Sequence, residues 1–333
     1  MNSLSFSIIT CAYNPDAVIF ERFLLAIREI KQAPNCPPHE VIIVDNNSSP
    51  KLMEREIVKA FLENFPETKI VEEKKPGLTA ARIAGAKHAV NEWIVFFDDD
   101  NEPASDYLLK ATQIIQQFPQ TGVWGPGIIS VEFVGEVSDF ALAHKDLFQE
   151  RKMDGTIIDN VRWGQTAYPY GTGMTVRKEV MDEYIRQVET GVYTMSDRVG
   201  KSLISGGDMQ ILLTGIKMGW YGGSSPELRI NHLIKQEKTR YKKMLQLVYM
   251  LSASAIKLYN EVFPDAPHEV VPISNKYVLT TFYTQMRLHL FSKGWREAFY
   301  LTATRMGELY AHIIAINQPK APLALRIFYR FIS

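Results

Sequence analysis

The sequence predicts an α/β fold, a mostly parallel central sheet with helices on both faces, followed by a helical C-terminal extension. Short apolar runs without strict polar alternation take turns with segments of helical period through about residue 125. Each run stops at a polar or acidic cluster, and past residue 237 the chain becomes helical and basic. With 333 residues, 46% apolar and 22% charged, there is material for a full globular core and an appended unit.

Leu4 to Ile9 is the first strand, ending at Thr10. Asn14-Pro15-Asp16 then supplies an N-cap, a first-position proline and an acid for a helix whose apolar positions are Phe20, Phe23, Leu24, Ile27 and Ile30. Val41 to Val44 is a second buried strand, and Ser49-Pro50 opens a helix with Ile57, Ala60 and Phe61 inward. Lys69 to Glu72 is a short strand, and Gly77 precedes a small-residue helix to Ala89. Trp93 to Phe97 is the next strand and Tyr107 to Phe118 the next helix. After Val123 to Gly127 the alternation breaks, and 132–168 reads as an irregular insertion. Tyr170 to Val176 resumes a strand, with Gly171 and Gly173 allowing close backbone approach. Ser205 to Asp208 starts a helix that closes near Gly219-Trp220. The division is 1–236, with a break at 125/126 where the alternation ends, and 237–333 as a helical region in which Pro264, Pro267 and Pro272 separate two blocks.

Cys11 and Cys36 are the only cysteines, which gives neither a disulfide framework nor a zinc pattern and fits a reducing compartment. No secretory signal is visible, and the most apolar stretch of the second half, Met244 to Ile256, is too short and polar to span a bilayer. The balance of 37 Lys+Arg against 37 Asp+Glu hides an acidic excess in 1–236 and an equal basic excess in 237–333. That split suits either an anionic partner or mutual neutralisation across an internal interface.

The junction of Trp93 to Phe97 with Asp98-Asp99-Asp100 carries the most chemistry. Three acids at the exit of a buried strand repel one another and resist burial, so they call for a cation. A hard divalent metal, Mn or Mg, shared with a phosphate ligand answers that need; the alternative is an acidic turn capping the next helix. Ligands of open α/β sheets collect at the carboxyl ends of the strands, and here the ends are Thr10 to Tyr13, Asp45 to Asn47 and Asp98 to Asp100.

Four ordered pieces, Ser7 to Asn14, Val41 to Ser49, Gly77 to Arg82 with Ala84-Gly85, and Asp98 to Asp100, resemble glycosyltransferase family 2, whose nucleotide-sugar enzymes have the Rossmann-like GT-A fold. The resemblance covers roughly 1–235 and implies that 1–125 is the nucleotide-binding part and 126–236 the acceptor-side part. It implies a donor site in which Thr10, Ala12, Tyr13 and Asn14 form the first nucleotide loop and Asp45 reads the base. Asp98 would reach the ribose and Asp100 the metal bridging the diphosphate, with Asp99 pointing away between them. His232 falls where GT-A enzymes often place a further metal or diphosphate ligand. Arg82 and Lys75 are candidates for the diphosphate, and Gly171 and Gly173 for close approach to the donor sugar. Asp208 resembles the acidic start of the acceptor-side helix and becomes the base, although the Glu that many relatives carry before it is Gly207 here. Each has a structural alternative: a side-chain-to-backbone turn at Asp45, an N-cap at Asp208, a packed imidazole at His232 and tight-turn glycines.

The expected function is a metal-dependent inverting transfer of sugar from a nucleoside diphosphate, a UDP-sugar, to a saccharide or lipid-linked saccharide, in cell-surface polysaccharide or glycoconjugate synthesis. A sugar nucleotidyltransferase would need a Gly-rich basic loop after the first strand, which Thr10 to Asn14 is not. A non-catalytic nucleotide-sugar binding protein is the other alternative. Basic residues interleaved with aromatics at the C-terminal end, Arg287 to Arg305 and Leu325 to Ile332, suit either helix packing or a peripheral contact with the inner face of the membrane by a cytoplasmic protein. No motif accompanies them that would indicate nucleic acid.

Overall fold

The computed structural model describes residues 4–164, 166–195, 206–318 and 320–333. The chain begins β1 (Phe6–Ala12), α1 (Ala17–Gln32), β2 (His39–Asp45), α2 (Glu56–Asn64), β3 (Lys69–Glu72), α3 (Leu78–His88) and β4 (Trp93–Asp98). It continues with β5 (Asn101–Pro103), α4 (Tyr107–Gln117), β6 (Thr121–Val134), α5 (Asp139–Ala143), β7 (Arg151–Lys152), β8 (Ile157–Asp159), β9 (Met174–Arg177), α6 (Lys178–Glu189), α7 (Gly207–Lys217) and β10 (Tyr221–Lys235). Five helices close it: α8 (Tyr241–Ala253), α9 (Ala255–Val262), α10 (Asn275–Lys293), α11 (Trp295–Ala315) and α12 (Leu323–Ile332).

The main sheet has the order β3-β2-β1-β4-β9-β6-β10-β5. Its first four strands are parallel, as are β6 and β10, while β9 runs antiparallel between β4 and β6. Alternate residues of the parallel strands feed two cores, as buried strands covered on both faces must. Phe6, Ile8, Val41, Ile43, Trp93, Val95 and Phe97 pack under α1, α2 and α4, whereas Ile9, Ile42, Val44, Ile94 and Phe96 pack under α3, α6, α7 and α9. A third core joins α8, α10, α11 and α12, and a small fourth one ties Val131 and Ile234 of the sheet to Phe148 and Met244.

Several expectations need correction. β1 runs past Thr10 to Ala12, and the N-cap of α1 is Asp16, whose Oδ1 accepts from the amides of Val18 and Ile19 at 3.1 and 3.2 Å, so the cap lies two residues beyond Asn14. Ser49-Pro50 opens no α-helix, because the 48–52 backbone is folded around the Asp45 carboxylate; a 3-10 turn follows, and α2 starts at Glu56 with Val58, not Ala60, buried. The 132–168 stretch is less irregular than its sequence: β6 extends through Val134, and β7 and β8 pair with β6 and β10. α6 and β10 are further elements not expected from the sequence.

Candidate active site

Sheet register assembles the site. Ala12 pairs with Asp45 and Cys11 with Asp98, so the carboxyl ends of β2, β1 and β4 finish side by side. After β4 the chain turns through Asp99 and Asp100 into β5, which runs antiparallel to β10 with Asn101 opposite His232. That pairing brings His232 to the acids across more than a hundred residues of chain. His232 Nε2 lies 3.4 Å from Asp100 Oδ1, and Lys238 Nζ lies 2.8 Å from Asp100 Oδ2. Fully buried Asn101 fastens the turn, its Oδ1 accepting from the Asp98 amide at 2.9 Å and its Nδ2 donating to Asp100 Oδ1 at 3.2 Å.

A cleft of about 970 Å³ opens over these strand ends. Asp98, Asp99 and Asp100 all line it, together with Ala12, Tyr13, Asp208, His232 and Lys238. Asp99 was expected to point away by strand alternation, but β4 stops at Asp98 and the turn carries Asp99 inward. Burial, then the neighbouring Asp100, push the Asp99 carboxyl up. Burial would raise Asp100 as well, yet Lys238 and His232 outweigh it and hold that carboxyl well below the usual range. Crowding is thus relieved in two ways: Asp99 favours its proton and Asp100 gathers cations. Burial pushes the neighbouring Cys11 thiol up to about 12, so it enters the site as a neutral group and not as a nucleophile.

The loop before β9 links the two acidic poles. Thr172 Oγ1 donates to Asp98 Oδ2 at 3.3 Å, and the adjacent Gly171 amide donates to Asp208 Oδ2 at 3.1 Å. A Cβ on Gly171 would come within 3.0 Å of Arg82 Nη2 and 3.2 Å of Asp208 Cβ, so the loop is wedged between them. Arg82, nearly buried, places Nη2 3.8 Å from Asp98 Oδ1 and its guanidinium over the Phe96 ring. Asp208 lies in the first turn of α7, after the N-cap Gly206, and its Oδ1 accepts from the Met209 amide of that turn at 2.9 Å.

Other expected residues sit outside the cleft lining. Asp45 is 2% exposed, and its two oxygens accept from the amides of Ser48 and Leu52 at 2.8 and 2.9 Å. Thr10 is buried in β1, with Oγ1 unpartnered among the described residues. Asn14, exposed and at φ 46°, braces the β2 loop through Ser48 Oγ and the Ser49 amide. Gly173 has φ 73°, and its Cβ direction is filled by Ile230, Tyr107 and Pro126; its carbonyl accepts from the Tyr107 hydroxyl. The Lys75 side chain is exposed. Residues 196–205, including Ser205 of the expected helix start, lie outside the described residues.

Sequence reasoning missed Asn101, Thr172 and Lys238. Asn101 directly follows the acids and Thr172 lies between the two noted glycines, so adjacency alone could have flagged both. Lys238 was counted only as part of a basic region.

The donor set fits a divalent cation. The carbonyl of Phe148 can only accept, so His232 Nδ1, 2.9 Å from it, carries a proton, and Nε2 is the nitrogen turned on Asp100. A proton on Nε2 would join it to Asp100 Oδ1, and a metal between the two atoms could take that proton's place; a backbone carbonyl on the far nitrogen is the usual brace of a metal-bound imidazole. Among the described residues no group of three His, Cys, Asp or Glu side chains is placed to hold one ion, so phosphate oxygens and water would complete the shell.

The fold is that of the GT-A glycosyltransferases. The model of the family described as "Glycosyl transferase family 2" matches residues 7–185, and the chain belongs to that family. Among curated proteins it is 30% identical over 123 residues to polypeptide N-acetylgalactosaminyltransferase 11 of Xenopus tropicalis, covering 35% of this chain and 20% of that relative. The chain therefore spans about a fifth of that protein's length. Among solved structures, GalNAc-T7 with UDP, GalNAc and Mn2+ aligns over 95% of this chain and 57% of its own, with TM-score 0.51 and 12% identity. Residues 1-349 of S. aureus TarS align over 95% and 92%, with TM-score 0.47 and 13% identity.

Proposed function

We propose that the protein transfers a sugar from a UDP-sugar, with inversion and with Mn or Mg, to a hydroxyl of a saccharide or lipid-linked saccharide. The observation that carries this reading is the convergence of Asp98, Asp100, His232 and Asp208 on one cleft of a family 2 chain. A solved neighbour described with UDP, GalNAc and Mn2+ supports the choice of donor and metal. A place in cell-surface polysaccharide or glycoconjugate assembly, in the cytoplasm, goes with the same reading.

A divalent cation held by Asp100 and His232 would offset the charge that builds on the departing diphosphate. Asp98, steadied by Thr172, faces the ribose. Were Asp100 to hold that cation, the Lys238 ammonium beside it would meet a diphosphate oxygen and add a second positive charge. Asp208 accepts the acceptor hydroxyl's proton while that oxygen bonds to the anomeric carbon and the carbon–diphosphate bond breaks on the opposite side. One displacement inverts the centre and leaves the proton on Asp208.

A panel of nucleotide-sugars, each with Mn, Mg or EDTA, tests this by thermal shift, since a bound donor raises the midpoint in proportion to its affinity. A UDP-sugar should raise it only with metal, and the same sugar should be hydrolysed slowly without acceptor. No shift with any nucleotide-sugar sinks the donor assignment, whereas a shift that survives EDTA sinks the metal.

A further inference from the structure

The structure assigns a second binding surface on the outward face of α12 and α10, one that takes an anionic phospholipid bilayer. On α12, Leu325, Phe328 and Ile332 are buried, while Leu323, Ile327 and Phe331 recur every fourth residue on the outside with exposures of 54%, 60% and 70%. Arg326 and Arg330 form the adjoining row and are also exposed. α10 repeats the theme. It buries only Val278 fully and exposes Leu279, Tyr283 and Phe291, the last at 91%, beside exposed Lys276 and Arg287.

The two helices are fixed to each other. Phe282 and Phe328 meet edge to face with centroids 6.1 Å apart, and Asn275 Oδ1 accepts from the Ala324 amide at 3.0 Å. Neither helix contains an acidic residue.

An apolar row flanked by an arginine row is the arrangement of a helix lying in a membrane interface, with side chains inserted and guanidinium groups among the phosphates. At 10 residues α12 cannot cross a bilayer, and no described helix is long and apolar enough to do so. A second copy of the chain is a poor occupant, because a two-fold contact would set arginine row against arginine row with no acid on either helix to answer them. Nucleic acid would meet the arginines but leave Leu323, Ile327 and Phe331 in water.

The surface lies one helix away from the cleft. Lys243, Leu247 and Leu251 of α8 line the cleft, while Gln246 Nε2 donates to the Ser333 carbonyl at 3.0 Å and Tyr249 packs on Phe328 and Tyr329 of α12. On the transferase reading, bilayer contact would bring the acceptor side of the cleft to a lipid-linked saccharide.

Vesicle flotation of the full chain tests the surface without donor, metal or turnover, so its outcome is independent of the transferase assignment. Vesicles of phosphatidylcholine with phosphatidylglycerol should carry the protein at low salt, and phosphatidylcholine alone should not. The double variants Ile327→Ser/Phe331→Ser and Arg326→Ser/Arg330→Ser should each weaken binding about tenfold or more. Their thermal midpoints should stay at that of the parent, since these side chains are exposed. Binding that is absent, indifferent to lipid charge or equal in the variants overturns the proposal. So does a dimer, seen by light scattering, that the Ile327→Ser/Phe331→Ser pair dissociates.

Discussion

β2 and β4 flank β1 in the same sheet and both end in aspartate, yet their carboxylates meet different partners. Asp45 is enclosed by its own loop and answered by two backbone amides, which turns the acid into the hub of the 45–52 turn. The acids after β4 are answered by side chains, Lys238 and His232 against Asp100 and the Thr172 hydroxyl against Asp98. Amides of a folded loop cannot leave without unfolding it, whereas a lysine can exchange with a ligand. An acid at a strand end is therefore no sufficient sign of a ligand site; what it is paired with decides.

Substitution can break that contrast, and the largest effect belongs to the β4 side. Asp100→Ala should abolish both transfer and the metal-dependent part of the donor-induced thermal shift, while leaving the unliganded midpoint near the parent's. Asp208→Asn should keep the donor shift and lower kcat by roughly 10²- to 10⁴-fold, the scale of general-base catalysis; unimpaired transfer would remove Asp208 from the mechanism. On the β2 side the readout should reverse. Asp45→Ala orphans two buried amides and should cost about 2 to 4 kcal/mol in urea-unfolding stability. If instead UDP affinity collapses and the midpoint holds, Asp45 reads the base as the family resemblance implies. Lys238→Ala should raise KM for the donor several-fold with a smaller change in kcat, and a kcat-only loss would rule out a diphosphate contact.

The parallel half of the fold was legible because each strand and helix there announces itself locally. Trp93 to Phe97 and Lys69 to Glu72 are read from four or five residues; the first is buried because the sheet is covered on both faces, and the second, at the sheet edge, is only partly covered. β10 was invisible for the opposite reason. Its Tyr221-Gly222-Gly223-Ser224-Ser225-Pro226 start has little strand character, and it is held by partners a hundred residues away in β6 and only then supplies His232. The acids and Asp208 were legible as a set, since their types and order survive without coordinates. Asp45's enclosure, Gly173's packing against Ile230 and Lys238's reach to Asp100 were not, because each depends on where a loop turns rather than on what it contains.

A third acidic cluster, Glu102 and Glu132, gives the smallest test of the same contrast. Arg22 of α1 bridges Glu102 of β5 and Glu132 of β6, with Nε 2.5 Å from Glu102 Oε1 and Nη1 2.6 Å from Glu132 Oε1, and Asn231 Nδ2 donates to both carboxylates. These hydrogen bonds, from Arg22 first and Asn231 second, lower Glu132 from its ordinary 4.5 to about 2. A depressed carboxylate stabilises the fold fully above the unfolded value and loses that contribution as pH falls from about 4.5 towards 2. The Glu132 side chain is 45% exposed, so solvent screening keeps the contribution below about 1 kcal/mol. Glu132→Gln should therefore lower urea-unfolding stability slightly at pH 7, and the gap from the parent should close as the pH approaches 2. Since Asn231 precedes His232 on β10, a fall in metal affinity larger than the fall in stability would show that this network also sets the imidazole, which would move it from the structural to the catalytic side of the comparison.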